Sequence, residues 1–191
     1  MHWLLIEGDN GTGKDTVREH FERQGWVHVN DSADALTELE VAIKRKGPSR
    51  IPAYLQYCQA CGSFAARTPG NRVSVRYWPS TLSAGYADEL IGFSEMADML
   101  EKCICELPSP NSVIELRCDF DARIARILER MGRQPNLVDN IDRPRAMRIR
   151  EAVEYIASRW SIPWLILDTT HQKPHKVYEA ASSWVNEQRK G

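Results

Sequence analysis

Gly8-Asp9-Asn10-Gly11-Thr12-Gly13-Lys14-Asp15-Thr16 follows an apolar run, Trp3-Leu4-Leu5-Ile6, and opens into Val17-Arg18-Glu19-His20-Phe21-Glu22-Arg23. Its glycines and lysine fit G-x-x-x-x-G-K, the pattern of a phosphate-binding loop between a strand and a helix. Gly11 and Gly13 can take positive φ, so that backbone N–H groups converge on an anion. The helix that follows adds its unpaired N-terminal donors and the positive end of its dipole. Lys14 supplies a mobile positive charge for the outer phosphates. The place after Lys14 calls for a hydroxyl that would meet Mg²⁺. It holds Asp15, with Thr16 one residue later.

Working outward, apolar runs alternate with helical patterns along the whole chain. Strands are expected at 3–6, 26–30, 72–77, 112–118 and 163–168. Helices are expected at 14–24, from Asp31 or Ser32 to about 44, at 51–66, 86–106, about 119–131, 143–159 and 174–188. Alternation of this kind calls for a parallel sheet covered by helices on both faces. Ligands in such sheets bind beyond the carboxyl ends of the strands. That edge gathers 8–16, Asn30-Asp31, Arg76 to Ser80, Asp119, and Asp168 to His171.

The 191 residues suit a single domain, and the formal net charge of −1 gives no global attraction to a nucleic-acid backbone. Lys44-Arg45-Lys46 and Arg72 with Arg76 remain available as a local basic patch. No apolar run reaches membrane-spanning length and no signal-peptide pattern opens the chain, so a cytoplasmic protein without a membrane partner is expected. Five cysteines, two of them a C-x-x-C at Cys58 and Cys61, read as small buried residues rather than a zinc site. The 86–106 helix carries enough apolar positions either for a homodimer face or for a buried core helix.

With these segments in order, the chain resembles the thymidylate kinase-like nucleotide kinases. Glu7 to Thr16 looks like that family's E-G-x-D-G-x-G-K-[ST]-T, and Val75-Arg76-Tyr77-Trp78-Pro79-Ser80 like its D-R-Y-x-x-S. Leu107 to Leu116 is similar to its L-P-x-P-D-x-x-x-x-L, and Ala122 to Arg133 has the arginine spacing of the helix leading to its lid.

The resemblance implies a P-loop NTPase fold spanning 1–191 as one kinase domain, with a five-stranded parallel sheet and a mobile lid near 130–142. It implies transfer of the ATP γ-phosphoryl group, with Mg²⁺, to a deoxynucleoside monophosphate. On this mapping Gly8, Asp9, Asn10, Gly11, Thr12, Gly13, Lys14, Asp15 and Thr16 hold the donor phosphates. Asp15 and Thr16 are the metal candidates. Arg126 serves the donor side, and Lys14, Arg76, Arg130, Arg133 and Asp9 are the catalytic candidates. Gln56, Gln59, Arg76, Tyr77 and Ser80 face the acceptor. Glu7, Asp9 and Asp31 are the carboxylates available as a general base, and Arg123 shares the helix of Arg126.

The sequence departs from the family at Asn10, Asp15 and Val75, where an acid, a hydroxyl and an acid stand in the pattern. A deoxynucleoside, a hydroxymethylated base in DNA, or nucleotide binding without catalysis are therefore alternative expectations. DNA is the less favoured because the chain is not basic.

Overall fold

The computed structural model of the chain describes residues 1–30, 32–131 and 142–190. Its centre is a five-stranded parallel sheet in the order β2-β3-β1-β4-β5. The strands are β1 (Trp3–Gly8), β2 (Val27–His28), β3 (Arg72–Val75), β4 (Ser112–Arg117) and β5 (Trp164–Asp168). β1 lies in the middle, with Leu5 opposite Ser74 on one side and Val113 on the other.

A strand buried on both faces needs apolar residues at every position, and β1 shows why. Trp3 and Leu5 point into a cluster with residues of α3 (Arg50–Arg67), α4 (Trp78–Ala87), α5 (Phe93–Glu106) and α7 (Arg143–Arg159). Leu4 and Ile6 point the other way, onto Val17 and Phe21 of α1 (Lys14–Arg23) and Val177 and Ala181 of α8 (Pro174–Gln188). Two further helices, α2 (Ala33–Lys44) and α6 (Phe120–Met131), complete the cover. Ser32 caps α2 by accepting from the Ala35 N–H at 3.3 Å. Cys58, Cys61, Cys103 and Cys118 are buried, whereas Cys105 is exposed. Among the described residues, no helix is long and apolar enough to cross a membrane.

One expected element divides. The 86–106 segment is not a single helix: α4 runs from Trp78 to Ala87 and α5 starts at Phe93. Between them Glu89 adopts φ +57°. The end of α4 is tied from outside, because Arg148 of α7 donates to the Tyr86 carbonyl at 2.9 Å and pairs with Glu89 at 2.5 Å. Tertiary contacts thus override a local pattern that reads as continuous. At the other end, α4 takes up Trp78-Pro79-Ser80-Thr81, which lie between the expected strand at 72–77 and the expected helix at 86–106. Pro79 sits in the first turn, where its missing N–H costs nothing.

The chain crosses from one side of β1 to the other between β3 and β4. Such a reversal leaves a crevice at the carboxyl ends of the strands. The 8–16 loop, the β3–α4 junction and the β5–α8 loop all open there.

Candidate active site

The loop between β1 and α1 is shaped by close approaches. Gly8 has φ +135°, and a Cβ there would lie 2.4 Å from the Leu116 carbonyl oxygen. Gly11 (φ +85°) packs against Arg123 and Ile127 of α6, where a Cβ would meet side-chain carbons at 3.0 Å. Gly13 (φ +95°) is the N-cap of α1. Thr12 Oγ1 donates to the Asp9 carbonyl at 2.8 Å, and Thr169 Oγ1 reaches the Thr12 carbonyl at 3.1 Å. The loop is therefore braced from β4, α6 and the end of β5.

Lys14 is buried, and its Nζ donates to the Asp9 carbonyl at 2.7 Å. Its pKa is lowered from 10.5 to about 7, chiefly by burial and then by the Arg76 guanidinium, against the opposing charges of Asp15, Asp9 and Glu7. A phosphate brought to this nitrogen would favour the charged form. Arg76 follows β3 with φ +63°, a conformation that costs a non-glycine residue about 1–3 kcal/mol. Its Nη2 donates to Asn10 Oδ1 at 2.7 Å, so the guanidinium leans over the phosphate loop.

Glu7 is buried beneath this pair. The Tyr77 N–H donates to its Oε1 at 2.9 Å, and the Ser80 hydroxyl donates to its Oε2. Burial raises its pKa from 4.5 to about 7, against the pull of the Ser80 hydrogen bond and the Arg76 charge. A carboxyl poised near neutrality next to an arginine has the properties of a proton acceptor.

Two spaces flank the loop. A cavity of about 760 Å³ is lined by Glu7, Asn10 and Arg76 and extends between α3, α4 and α7. A smaller one of about 310 Å³ lies on the other side, bounded by Gly13, Thr16, Arg126, Gln172 and Tyr178. Thr12 borders both. Arg126 is held at the smaller space by its hydrogen bonds to the Thr169 and Thr170 carbonyls, at 2.5 and 2.9 Å.

Asp15 and Thr16 are both exposed in the first turn of α1, and Thr16 borders the smaller space. Mg²⁺ takes one or two protein oxygens and fills its other positions with water and phosphate oxygen. An exposed hydroxyl and carboxylate at a helix N-terminus fit that demand.

Several expected residues stand elsewhere. Gln56 and Gln59 are exposed, and Gln59 bonds Ser63 Oγ at 3.1 Å on the outer surface of α3. The α3 face turned to the cavity carries Ile51, Tyr54, Tyr57 and Cys58. A shift of two positions on a helix is about 200°, enough to put both amides on the wrong side. The Tyr77 side chain is spent in the core: its hydroxyl donates to the Pro108 carbonyl at 3.0 Å and its ring packs on Trp3. Only its backbone serves the site.

Arg72 cannot share a basic patch with Arg76, because its Nη1 is buried against the Ala65 and Thr68 carbonyls at 2.8 and 2.9 Å. Arg133 and Asp31 lie outside the described residues, as does 132–141 of the expected lid; Arg130 falls near the end of α6.

Sequence reasoning placed Arg123 only on the helix of Arg126, without a role in the site. It is 2% exposed, packs on Gly11, and donates to the Asn10 carbonyl at 3.2 Å. The available signal was its spacing of four residues from Ile127, which is also buried. Asn30 was read only as part of the strand-end edge. Its amide bridges the Val75 N–H at 2.9 Å and the Tyr57 hydroxyl at 2.7 Å, which fixes the cavity wall.

No protein-family model matches the chain, and no curated protein sequence matches it. Solved structures do. A deoxyadenosine kinase from M. mycoides with the products dCMP and dCDP bound superposes with a TM-score of 0.68 at 16% identity, over 97% of this chain and 99% of that one. The same kinase with bound dATP gives 0.67 at 16% identity, over 96% and 99%. Thymidylate kinase from Candida albicans gives 0.65 at 14% identity, over 98% and 92%. The chain has the α/β fold of the P-loop nucleotide kinases, with the five-stranded parallel sheet of that fold.

Proposed function

We propose that the protein is an ATP-dependent kinase that transfers a phosphoryl group to a deoxynucleoside monophosphate. One observation carries the reading: two spaces meet at the phosphate loop, with Lys14 and Arg76 close enough to lower the lysine's pKa. Two substrates that exchange a phosphoryl group need such a junction, because the reaction depends on in-line positioning and neutralised charge.

In this reading ATP lies with its base in the space beside Arg126, and its outer phosphates meet the loop amides and Lys14. Thr16 and Asp15 would hold Mg²⁺, which supplies neutralising charge on those phosphates. Arg76 grips the acceptor's phosphate with its guanidinium fork. Arg130 and Arg133 are proposed to neutralise the transferring group, a role worth about 10³–10⁵ where an arginine finger performs it. Asp9, bordering the larger cavity, stays within reach of the loop's phosphates and metal.

A second reading is favoured by Glu7. A buried carboxyl poised near neutrality could take the proton from a hydroxyl acceptor, which would make the substrate a deoxynucleoside. The measurement is transfer from labelled ATP-Mg²⁺ to a panel of deoxynucleosides, monophosphates and oligonucleotides. Labelled diphosphates support the first reading, labelled monophosphates from nucleosides the second, and labelled oligonucleotide would point to DNA. ATP binding with no transfer to any of them would overturn the enzyme readings and leave a nucleotide-binding protein.

A further inference from the structure

We infer that Asp88, held by Arg145, reads the base of the acceptor and selects cytosine or adenine over thymine. The inference rests on the proposed acceptor site and names the substrate class within it.

Thr81, Ala84, Gly85 and Asp88 all border the larger cavity. Their spacing is i, i+3, i+4, i+7, so they form a single stripe on α4 and its C-cap. The stripe begins beside Ser80, which bonds Glu7 at the phosphate end of the cavity. At about 1.5 Å per residue, Asp88 lies roughly 10 Å further along the helix than Thr81. That is the direction and reach from an acceptor's phosphate at Arg76 to the far edge of its base. Between the two ends stand Ala84 and Gly85, and Gly85 is in close contact with Ile51 of α3, where a Cβ would lie 2.7 Å from its Cδ1, so α3 packs directly on this stripe. Ile51, Tyr54 and Tyr57 of α3 form another wall, and aromatic faces suit a planar base.

At the far end the charges are arranged. Arg145 Nε donates to Asp88 Oδ1 at 2.5 Å, and the two side chains are 24% and 30% exposed. An ion pair that borders a ligand cavity fixes the orientation of what enters, rather than adding much stability. The arginine holds the carboxylate turned, and carboxylate oxygens accept hydrogen bonds. Cytosine N4 and adenine N6 donate from the edge on which thymine and guanine present carbonyl oxygens. An amine therefore meets Asp88 with a hydrogen bond, whereas the O4 of thymine meets it with lone pairs and repulsion. Arg145 acts through Asp88 and is a positioning residue.

The test measures kcat/KM for dCMP, dAMP and dTMP, together with calorimetric binding of each to the full chain, for wild type and Asp88→Asn. Wild type should favour dCMP or dAMP over dTMP by at least about tenfold. In Asp88→Asn the amide can both donate and accept, so activity on dTMP should rise as that on dCMP falls. A merely structural role for Asp88 would lower all three together. A wild-type preference for dTMP, or an unchanged ratio in the variant, overturns the inference. Amine-selective binding that depends on Asp88, without turnover, would uphold it while overturning the kinase reading. Binding of none of the three nucleotides would overturn both.

Discussion

Asn10 Oδ1 accepts a hydrogen bond from Arg76 Nη2 at 2.7 Å, which joins the loop after β1 to the arginine at the end of β3. The partner is a neutral amide where the resembling kinases carry an acid. The guanidinium is thus oriented without being neutralised, and its full charge stays available to an acceptor phosphate. Asn10→Asp should raise the KM for a monophosphate acceptor roughly tenfold, since a carboxylate competes for the same fork. Steady-state kinetics with a fixed excess of ATP measure it, and an unchanged KM would remove Arg76 from acceptor binding.

Lys14→Ala should lower transfer by about 10² or more, as loss of one electrostatic contact to the transferring charge does elsewhere. The fold should survive, because the substitution also removes a buried ammonium whose pKa burial has pulled to about 7. Thermal unfolding at neutral pH should show an equal or higher Tm. Near-normal turnover in this variant would contradict its role at the phosphates.

Glu7 and Lys14, both buried, make stability depend on pH in opposite senses. Native Glu7 keeps its proton up to about pH 7, while the unfolded side chain releases it near 4.5. Its contribution is complete below 4.5 and is lost as pH rises through 7. Native Lys14 gives up its proton near 7, while the unfolded chain holds it to 10.5. That contribution is complete above 10.5 and is lost as pH falls through 7. Urea unfolding from about pH 5 to about pH 8 should therefore show wild type losing stability relative to Glu7→Gln. Parallel profiles for the two proteins would mean that Glu7 does not titrate there.

Gly8→Ala should destabilise by more than about 2 kcal/mol, read as a Tm drop of several degrees. A Cβ at this position meets the Leu116 carbonyl at 2.4 Å, and the backbone is left-handed. The neighbouring strand cannot yield without breaking the β1–β4 ladder. A variant as stable as wild type would show that the loop can shift.

Gln56→Ala and Gln59→Ala should change stability by no more than about 0.5 kcal/mol and leave acceptor KM unaltered. Both amides point to solvent, away from the cavity face of α3. A raised KM in either would place the acceptor on the outer face of that helix.

The phosphate loop was legible because its chemistry is local. Gly11, Gly13 and Lys14 lie where backbone conformation and a helix N-terminus begin in the same stretch, so the sequence by itself determined a strand–loop–helix unit with the phosphate-loop pattern and, by alternation, a parallel sheet. The pairing of segments distant in the chain was not legible. Burial put Arg123 under Gly11 and turned Gln56 and Gln59 outward, since α3 presents the face that its neighbours leave open and not the face with the most suggestive amides. The break between α4 and α5 depended on Arg148, some 60 residues away from Tyr86. The same holds for Asn10 with Arg76, Ser80 with Glu7 and Asp88 with Arg145: each is a side-chain contact between elements. Only the packed structure decides such contacts, because they follow from where the sheet and helices come to rest.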